Sequence, residues 1–329
     1  MIISQTPFRI SFFGGGTDFP AWYLKNGGAV LSSTIDKYVY ISARVLPPFF
    51  SMKHRIVWSK VENVKSYKNI EHPVIRAGLK HLGVEDKFGL DLHYQSDLPA
   101  RTGMGSSSAF TVGFINSIMT LNKKKLSSKK LAEEAINIEQ KILKETVGCQ
   151  DQYACAYGGF NQFEFCESGK INVTPIRVSK RKIKLLESNL LLIYLGVERF
   201  GSDIAKKVVS SLEKKRKNLD NMRKMVYKGI TILTRNESIE DFGDLLNEAW
   251  MNKKALNPII SNSKIDYVYD LSMKNGALGG KLLGAGKTGF MILFVPKEKK
   301  EKLKAVLKDF LIVPFRFSFG GSQIIYNES

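Results

Sequence analysis

The stretch Leu98-Pro99-Ala100-Arg101-Thr102-Gly103-Met104-Gly105-Ser106-Ser107-Ser108-Ala109 decides how this chain reads. Gly103 and Gly105 sit among small residues, three serines follow, and then Phe110, Val112, Phe114, Ile115, Ile118 and Met119 recur at roughly helical spacing. The pattern predicts a tight glycine loop feeding a helix that runs to about Asn122. The first turn of such a helix has backbone N–H groups without helical acceptors and a partial positive charge, which suits an anion. The glycines let the backbone approach phosphate oxygens with no Cβ in the way. The serines can cap the helix, hydrogen-bond a phosphate or ligate a cation. On its own the stretch reads equally as an ordinary loop with a serine cap, and both readings stand at this point.

Working outward toward the N-terminus, residues 2–13 alternate and then run apolar, which predicts a strand. It ends at Gly14-Gly15-Gly16-Thr17-Asp18, a turn that another molecule can approach closely. Arg9 lies inside this apolar strand, and a buried arginine needs an anionic partner, either a carboxylate or a phosphate. Asp18 reads as the cap of a short helix opened by Pro20-Ala21-Trp22-Tyr23, or as a holder of a sugar hydroxyl. Residues 28–32, 38–45, 55–59 and 90–94 read as strands, and 72–82 as a short helix.

Toward the C-terminus, Ser127-Ser128 precede a helix over 129–145, with Leu131, Ala135, Ile138 and Ile142 on one face. Glu139 is off that face and reads as a solvated residue. Asp151, between Gly148 and apolar neighbours and flanked by Gln150 and Gln152, reads as a general base or as a helix cap. Strands follow near 160–166, 171–176 and 190–196. From Ser202 the chain reads as helical to about 235, with further helices over 241–255, 264–274 and 298–309 and strands near 311–318 and 323–326. Gly286-Lys287-Thr288 imitates a Walker loop, but that pattern needs glycine at 281, which is Lys281, and a helix after it. Here Phe290 to Val295 reads as a strand, so the Walker reading fails.

The chain has 329 residues, long for one core, and a soft boundary near 180–188 divides it into two α+β halves. Hydrophobic residues make up 43% and charged residues 25%, a globular balance. The net charge of +19 sits largely in lysine runs over 123–130, 206–217 and 297–308 that read as solvated helix faces. It suits a polyanionic small substrate and also keeps open a basic nucleic-acid-binding protein. No apolar run approaches the ~20 residues of a membrane helix, and no cleavable leader is expected at the N-terminus. Cys149, Cys155 and Cys166 form no metal-binding pair, which fits free thiols and a cytoplasmic location.

Three stretches together resemble the GHMP family of small-molecule kinases. They are Pro7-x-Arg9 through Asp18, Pro99-x-x-x-Gly103-x-Gly105 through Ala109, and Leu283-Gly284-Ala285-Gly286-x-x-Gly289. Their order and spacing agree across the chain. The resemblance implies an α+β fold of two lobes, an N-terminal one over 1–183 with the phosphate loop and a ferredoxin-like C-terminal one over 184–329, with the nucleotide bound between them. It implies an ATP-dependent phosphotransferase acting on an alcohol. Pro99, Gly103, Met104, Gly105, Ser106, Ser107 and Ser108 are then the nucleotide- and phosphate-binding residues. Ser107 and Glu139 are the Mg²⁺ ligands; Asp151 and Arg9 are catalytic. Gly15, Gly16, Thr17, Asp18, Asp151, Gly284 and Gly286 line the acceptor site. Glu139 and Asp151 are twelve residues apart, as in sugar kinases of this family.

Within the family, Gly14-Gly15-Gly16-Thr17-Asp18-Phe19-Pro20, Gly27 through Ser32 and Ile35-Asp36-Lys37-Tyr38 resemble the branch acting on D-glycero-D-manno-heptose 7-phosphate. That implies phosphorylation of the anomeric C1 hydroxyl, on the way to nucleotide-activated heptose for surface lipopolysaccharide or capsule. A fucose- or galactose-type sugar 1-kinase is the alternative. Lys25, Lys37 and Arg44 are candidates for the acceptor's own phosphate, in competition with plain surface charge. Lys287 and Thr288 replace two glycines usual in the third motif of this branch. The partners expected are ATP and a sugar phosphate, with no nucleic acid and no membrane.

Overall fold

Strand β1 (Ile2–Phe13) alternates buried and half-buried positions in its first third and is buried throughout the rest. The computed structural model describes residues 1–196, 205–207 and 209–328. After β1 come α1 (Pro20–Asn26), β2 (Gly28–Leu46), β3 (His54–Val57), β4 (Val61–Val64), α2 (Pro73–His81), β5 (Gly89–Ser96) and α3 (Ser106–Leu121). Next are α4 (Ser128–Ile136), which continues as a π-helix over Asn137–Ile142, then α5 (Gln150–Tyr157), β6 (Asn161–Phe165), β7 (Ile171–Pro175), α6 (Lys180–Asn189) and β8 (Leu190–Gly196). The remainder is α7 (Arg216–Thr234), α8 (Glu240–Leu256), α9 (Ser263–Lys274), β9 (Gly279–Leu282), β10 (Gly289–Phe294), α10 (Lys300–Val306), β11 (Leu311–Val313), β12 (Phe317–Ser318) and β13 (Gln323–Asn327). The helix expected from Ser202 begins outside the described residues; its regular part is α7.

Two sheets organise these elements. The larger runs β13-β1-β2-β5-β3-β4, with β6 and β12 also on β2 and β7 on β6. The smaller runs β11-β8-β10-β9, all antiparallel. Its chain order is β-α-β-β-α-β, the ferredoxin-like arrangement. The expected boundary at 183/184 falls inside α6. Residues 317–327, expected in the second lobe, return to the first sheet, where Phe317 pairs with Ile35 and Gln323 with Gln5. The backbone polar groups of the exposed edge of β1 and of mid-β2 gain partners that way.

Strand β2 covers 19 residues where the sequence shows two strands, because its first part pairs with β6 and its second with β5. The β1–β2 register shifts between Pro7 and Arg9. Proline cannot donate to the ladder, and such an irregularity re-aims the side chain that follows. Helix α3 packs on β1 and β2 and is buried from Ser108 to Met119, hence its near-continuous apolar run. The two sheets meet at an aromatic cluster: Phe242 of α8 lies edge-on to Phe12 at 5.2 Å and to Phe13 at 5.0 Å, both on β1. This contact fixes one lobe against the other near the glycine turn at 14–16.

His72, just before α2, is held between Trp58 at 4.8 Å and Phe110 at 4.6 Å. Burial pushes its pKa down to about 4, only partly opposed by Glu62. The unfolded imidazole titrates near ~6.5, so the unfolded chain takes up a proton that the folded one refuses. Stability is therefore lost as pH falls from 6.5 toward 4. With the ring partly exposed, the loss is about 2 kcal/mol. Urea unfolding at pH 7 and pH 4.5 checks this: His72→Phe flattens that part of the pH dependence. An unchanged slope contradicts it.

Candidate active site

Arg9 leaves β1 just past the register shift and is 4% exposed. Its Nε donates to Asp151 Oδ1 at 2.7 Å and its Nη2 to Asp151 Oδ2 at 2.7 Å, a fork-on-fork pair. Its Nη1 donates to the Gly103 carbonyl at 2.7 Å, and its backbone N–H to the Met104 carbonyl at 3.1 Å. Burial works against the charge of Arg9, but Asp151 outweighs it and the guanidinium pKa is raised. The sequence left its anionic partner open between a carboxylate and a phosphate; the partner is Asp151. Asp151 sits in the first turn of α5, where a negative charge complements the helix dipole, and its side chain stays 24% exposed. One arginine thus ties the candidate base to the glycine loop.

Gly105 takes a left-handed conformation (φ +80°) at the N-terminal boundary of α3. The first helical bond is Ala109 N–H to the Gly105 carbonyl at 2.8 Å, so the N–H groups of Ser106, Ser107 and Ser108 have no acceptor within the helix. A Cβ on Gly105 would lie 3.4 Å from Asp151 Oδ2, so this terminus opens beside the Arg9–Asp151 pair. Pro99 starts the loop, its carbonyl accepting from Thr102 Oγ1 at 2.8 Å, while Met104 is buried in the core. Ser106 Oγ accepts from Arg101 N–H at 3.1 Å.

The third motif packs directly on this loop. Gly284 (φ +71°) approaches so closely that a Cβ there would lie 2.3 Å from Gly103 Cα. Gly286 is buried against Ile260. Lys287 keeps the left-handed conformation (φ +66°) that a glycine would adopt more readily. It is held there by its N–H to the Ile260 carbonyl and by Asn262 Nδ2 to its own carbonyl.

Glu139 lies on the π-helix and is wholly buried. It accepts from Thr111 Oγ1 at 2.6 Å, from Ser108 Oγ at 3.1 Å and from Gln152 Nε2. Burial pushes its pKa up to about 7 despite these donors. The solvated reading of Glu139 therefore fails. A carboxylate accepts about four hydrogen bonds, and the three donors leave one lone-pair direction and an uncompensated charge, which a hard cation fits. The Ser107 side chain is exposed at the helix start, whereas Ser108 is the serine that reaches Glu139. Among the described residues no group of three or more His, Cys, Asp or Glu forms a metal cluster. A Mg²⁺ held mainly by phosphates and water needs only one or two protein ligands.

Thr17 and Asp18 of the first motif are both buried. Thr17 is wholly buried, and its hydroxyl lies 2.7 Å from the Gly14 carbonyl and 2.9 Å from the Ala29 carbonyl, so it holds the glycine turn. Asp18 is 2% exposed and accepts from Gly16 N–H at 3.0 Å and Gln150 Nε2 at 3.0 Å. Burial and Asp151 raise its pKa. Asp18 does not cap α1 either, since Phe19 occupies that position with no side-chain bond. Gly15 and Gly16 are partly exposed beside it.

Lys253 and Lys281, which the sequence does not single out, turn their ammonium groups onto backbone carbonyls. Lys253 Nζ donates to the carbonyls of Leu282 and Gly284, and Lys281 Nζ to those of Ser11 and Phe12. In the sequence, Lys253-Lys254 looks like a solvated helix end, and Lys281 attracts notice only as the residue that spoils a Walker pattern.

Comparison with known proteins follows the same division. The model of the GHMP kinases N terminal domain matches residues 68–159, and that of the GHMP kinases C terminal matches 230–312. A D-glycero-alpha-D-manno-heptose 7-phosphate kinase of Campylobacter jejuni is 31% identical over 321 residues, covering 94% of each chain. The chain belongs to the GHMP kinase family. As a GHMP kinase it is a phosphotransferase, and its relatives include sugar kinases that act on an alcohol group. A galactokinase of Pyrococcus furiosus is 24% identical, covering 100% of this chain and 98% of its own. Among solved structures, a D-glycero-D-manno-heptose 1-phosphate kinase from Bacteroides thetaiotaomicron superposes with a TM-score of 0.81 at 23% identity, covering 100% of both chains. Lactococcus lactis galactokinase complexed with galactose gives 0.75 at 15% identity, covering 98% of this GHMP kinase and 94% of its own chain. Among the described residues no helix is long and apolar enough to cross a membrane.

Proposed function

We propose that this GHMP kinase transfers the γ-phosphoryl group of ATP to the anomeric C1 hydroxyl of D-glycero-D-manno-heptose 7-phosphate, giving the 1,7-bisphosphate and ADP. The observation that carries the chemistry is the Arg9–Asp151 pair, bonded to the Gly103 carbonyl beside the open start of α3. The 31% identity to a heptose 7-phosphate kinase supports the acceptor. The heptose kinase of similar fold is named for the 1-phosphate, so a heptose monophosphate is common to both names and the position of its phosphate is what differs.

The chain's residues divide the work. The N–H groups of residues 103–108 hold the phosphates, as catalysis of such transfers rests on positioning and charge. Asp151, its two oxygens fixed by Arg9, accepts the hydroxyl proton on its exposed side. The O1–Pγ bond forms as the bond from Pγ to the bridging oxygen of ADP breaks. Arg9 holds both Asp151 oxygens and keeps them in register with the loop. Ser107 and Glu139 would hold Mg²⁺, which would supply neutralisation of phosphate charge. The nucleotide lies between the lobes, where the second and third motifs touch at Gly103 and Gly284. The reaction belongs in the cytoplasm, on a route to nucleotide-activated heptose for surface polysaccharide.

ADP release with ATP and Mg²⁺ across heptose 7-phosphate, heptose 1-phosphate, heptose, galactose, fucose and mevalonate tests the acceptor. Turnover is expected to be highest with heptose 7-phosphate. Preference for an unphosphorylated hexose overturns the acceptor and leaves the kinase chemistry standing.

A further inference from the structure

Lys253 stands on the last turn of α8, and its neighbour Lys254 points elsewhere, toward Asp266 at 3.4 Å and over the Trp250 ring. The Lys253 ammonium instead donates to the Leu282 carbonyl at 2.8 Å and the Gly284 carbonyl at 2.5 Å. Gly284 rests on Gly103, whose carbonyl takes the Arg9 guanidinium. Leu256, three residues on and so on the same helix face, comes within 3.8 Å of where a Cβ on Gly16 would be. Lys253 therefore holds the third glycine segment where it rests on the phosphate loop, and the same helix face reaches the first glycine segment through Leu256.

What this junction lacks is an anion. Arg9 has Asp151, but among the described residues Lys253 and Lys281 have only carbonyl partners. An ammonium has three donors, and two of them are used in each case. A buried cation without an anionic partner is costly, and burial together with Arg9 pushes the Lys253 pKa down to about 7. Ser11, whose carbonyl takes the Lys281 ammonium, and Gln150 each carry a buried side-chain oxygen, Oγ and Oε1, with no hydrogen-bond partner. Ser11 Oγ lies 3.5 Å from where a Gly15 Cβ would be, and Gln150 Nε2 lies 3.7 Å from it. The cations singled out in the sequence are by contrast already paired: Lys25 with Glu213, Lys37 with Asp36, and Arg44 with Asp91.

We infer that Lys253 is the residue that binds the acceptor's own phosphate, with Lys281 behind it adding positive field and Ser11 and Gln150 offering hydrogen bonds to acceptor hydroxyls. The inference rests on the reading of the acceptor as a sugar phosphate. It makes Lys253 the determinant that separates a phosphorylated acceptor from a plain sugar.

Lys253→Met removes the charge and keeps the stem; Lys253→Arg keeps the charge. Steady-state kinetics are measured for the full chain and both variants with heptose 7-phosphate and with unphosphorylated heptose, and folding is checked by circular dichroism. One lost charge-assisted contact lowers kcat/KM for heptose 7-phosphate by roughly 10- to 100-fold. The loss is expected in the acceptor KM rather than the ATP KM, to be at least about tenfold larger than with heptose, and to be largely restored by Lys253→Arg. An equal loss with both acceptors, or a loss seated in the ATP KM or in kcat, overturns the inference and assigns the cation to the transferred phosphoryl group or to the loop. If the unaltered chain does not turn over heptose 7-phosphate, the acceptor reading has failed first. Calorimetric titration with inorganic phosphate, without nucleotide, then decides the inference alone: binding lost in Lys253→Met supports it, and binding unchanged overturns it.

Discussion

Asp151→Asn is expected to lower kcat by about 10³-fold, the middle of the range for a positioned general base, while the protein remains folded. The amide keeps one oxygen as an acceptor for Arg9 but has no lone pair basic enough to take the hydroxyl proton. Asp151→Ala goes further. It leaves the buried Arg9 with only the Gly103 carbonyl and costs about 3 kcal/mol of stability as well as activity. Activity and thermal midpoint measured together separate the two effects. A kcat for the asparagine variant within about threefold of the unaltered chain, against the ~10²–10⁴ of an essential base, removes Asp151 from the chemistry.

Gly284→Ala carries the second large effect. A Cβ at 284 would lie 2.3 Å from Gly103 Cα, and the residue's φ of +71° is unfavourable for alanine. The third motif must then move off the phosphate loop, and displacements of about 1 Å at a reacting centre cost roughly 10²-fold in rate. The expected result is a fall of that order in kcat/KM for ATP. Gly83→Ala is the matching control. Gly83 has a φ of +65° but nothing within 4 Å of a Cβ, so it carries the backbone strain without the contact. Equal activity losses in the two variants contradict the role given to the Gly103–Gly284 contact.

The parts of the fold legible in the sequence are those set by local pattern. Strand β1 and helix α3 follow from their apolar runs, and the glycine loop between β5 and α3 from its composition. The elements missed depend on distant partners or on weak local signal. Strand β2 looks divided because Thr34 to Lys37 interrupt the run, yet Thr34 and Ile35 are covered by β12, nearly 300 residues away in the chain. The return of β13 to β1 is equally invisible, since nothing in Gln323 to Asn327 specifies the N-terminus as its neighbour. Helix α6 looks like a charged boundary, although Ser179 accepts from Lys182 N–H at 3.2 Å and so caps it. That serine was the available signal.

The site divides in the same way. Arg9, Asp151 and the glycines of all three motifs stand in short, spaced patterns, and the structure brings Arg9, Asp151, Gly103, Gly105 and Gly284 together. Glu139 was legible only through the family resemblance, in which a glutamate stands twelve residues before the aspartate, because its helix face gave no hint of burial. Lys253 and Lys281 were lost in the background of a chain with 50 Lys and Arg residues. A lysine whose ammonium turns inward onto carbonyls looks, in sequence, like any other. Thr17 and Asp18 show the reverse: both belong to the first motif, yet they are buried, the Thr17 hydroxyl holding the glycine turn and Asp18 joining that turn to Gln150 of α5.

The most direct measurement is ³¹P NMR of heptose 7-phosphate incubated with ATP, Mg²⁺ and the enzyme, run beside the Asp151→Asn variant. The account predicts a new phosphomonoester resonance coupled to the anomeric proton, growing in step with ADP and with the 7-phosphate signal retained, and absent with the variant. A new phosphate on any other carbon, or a product formed equally well without Asp151, contradicts it.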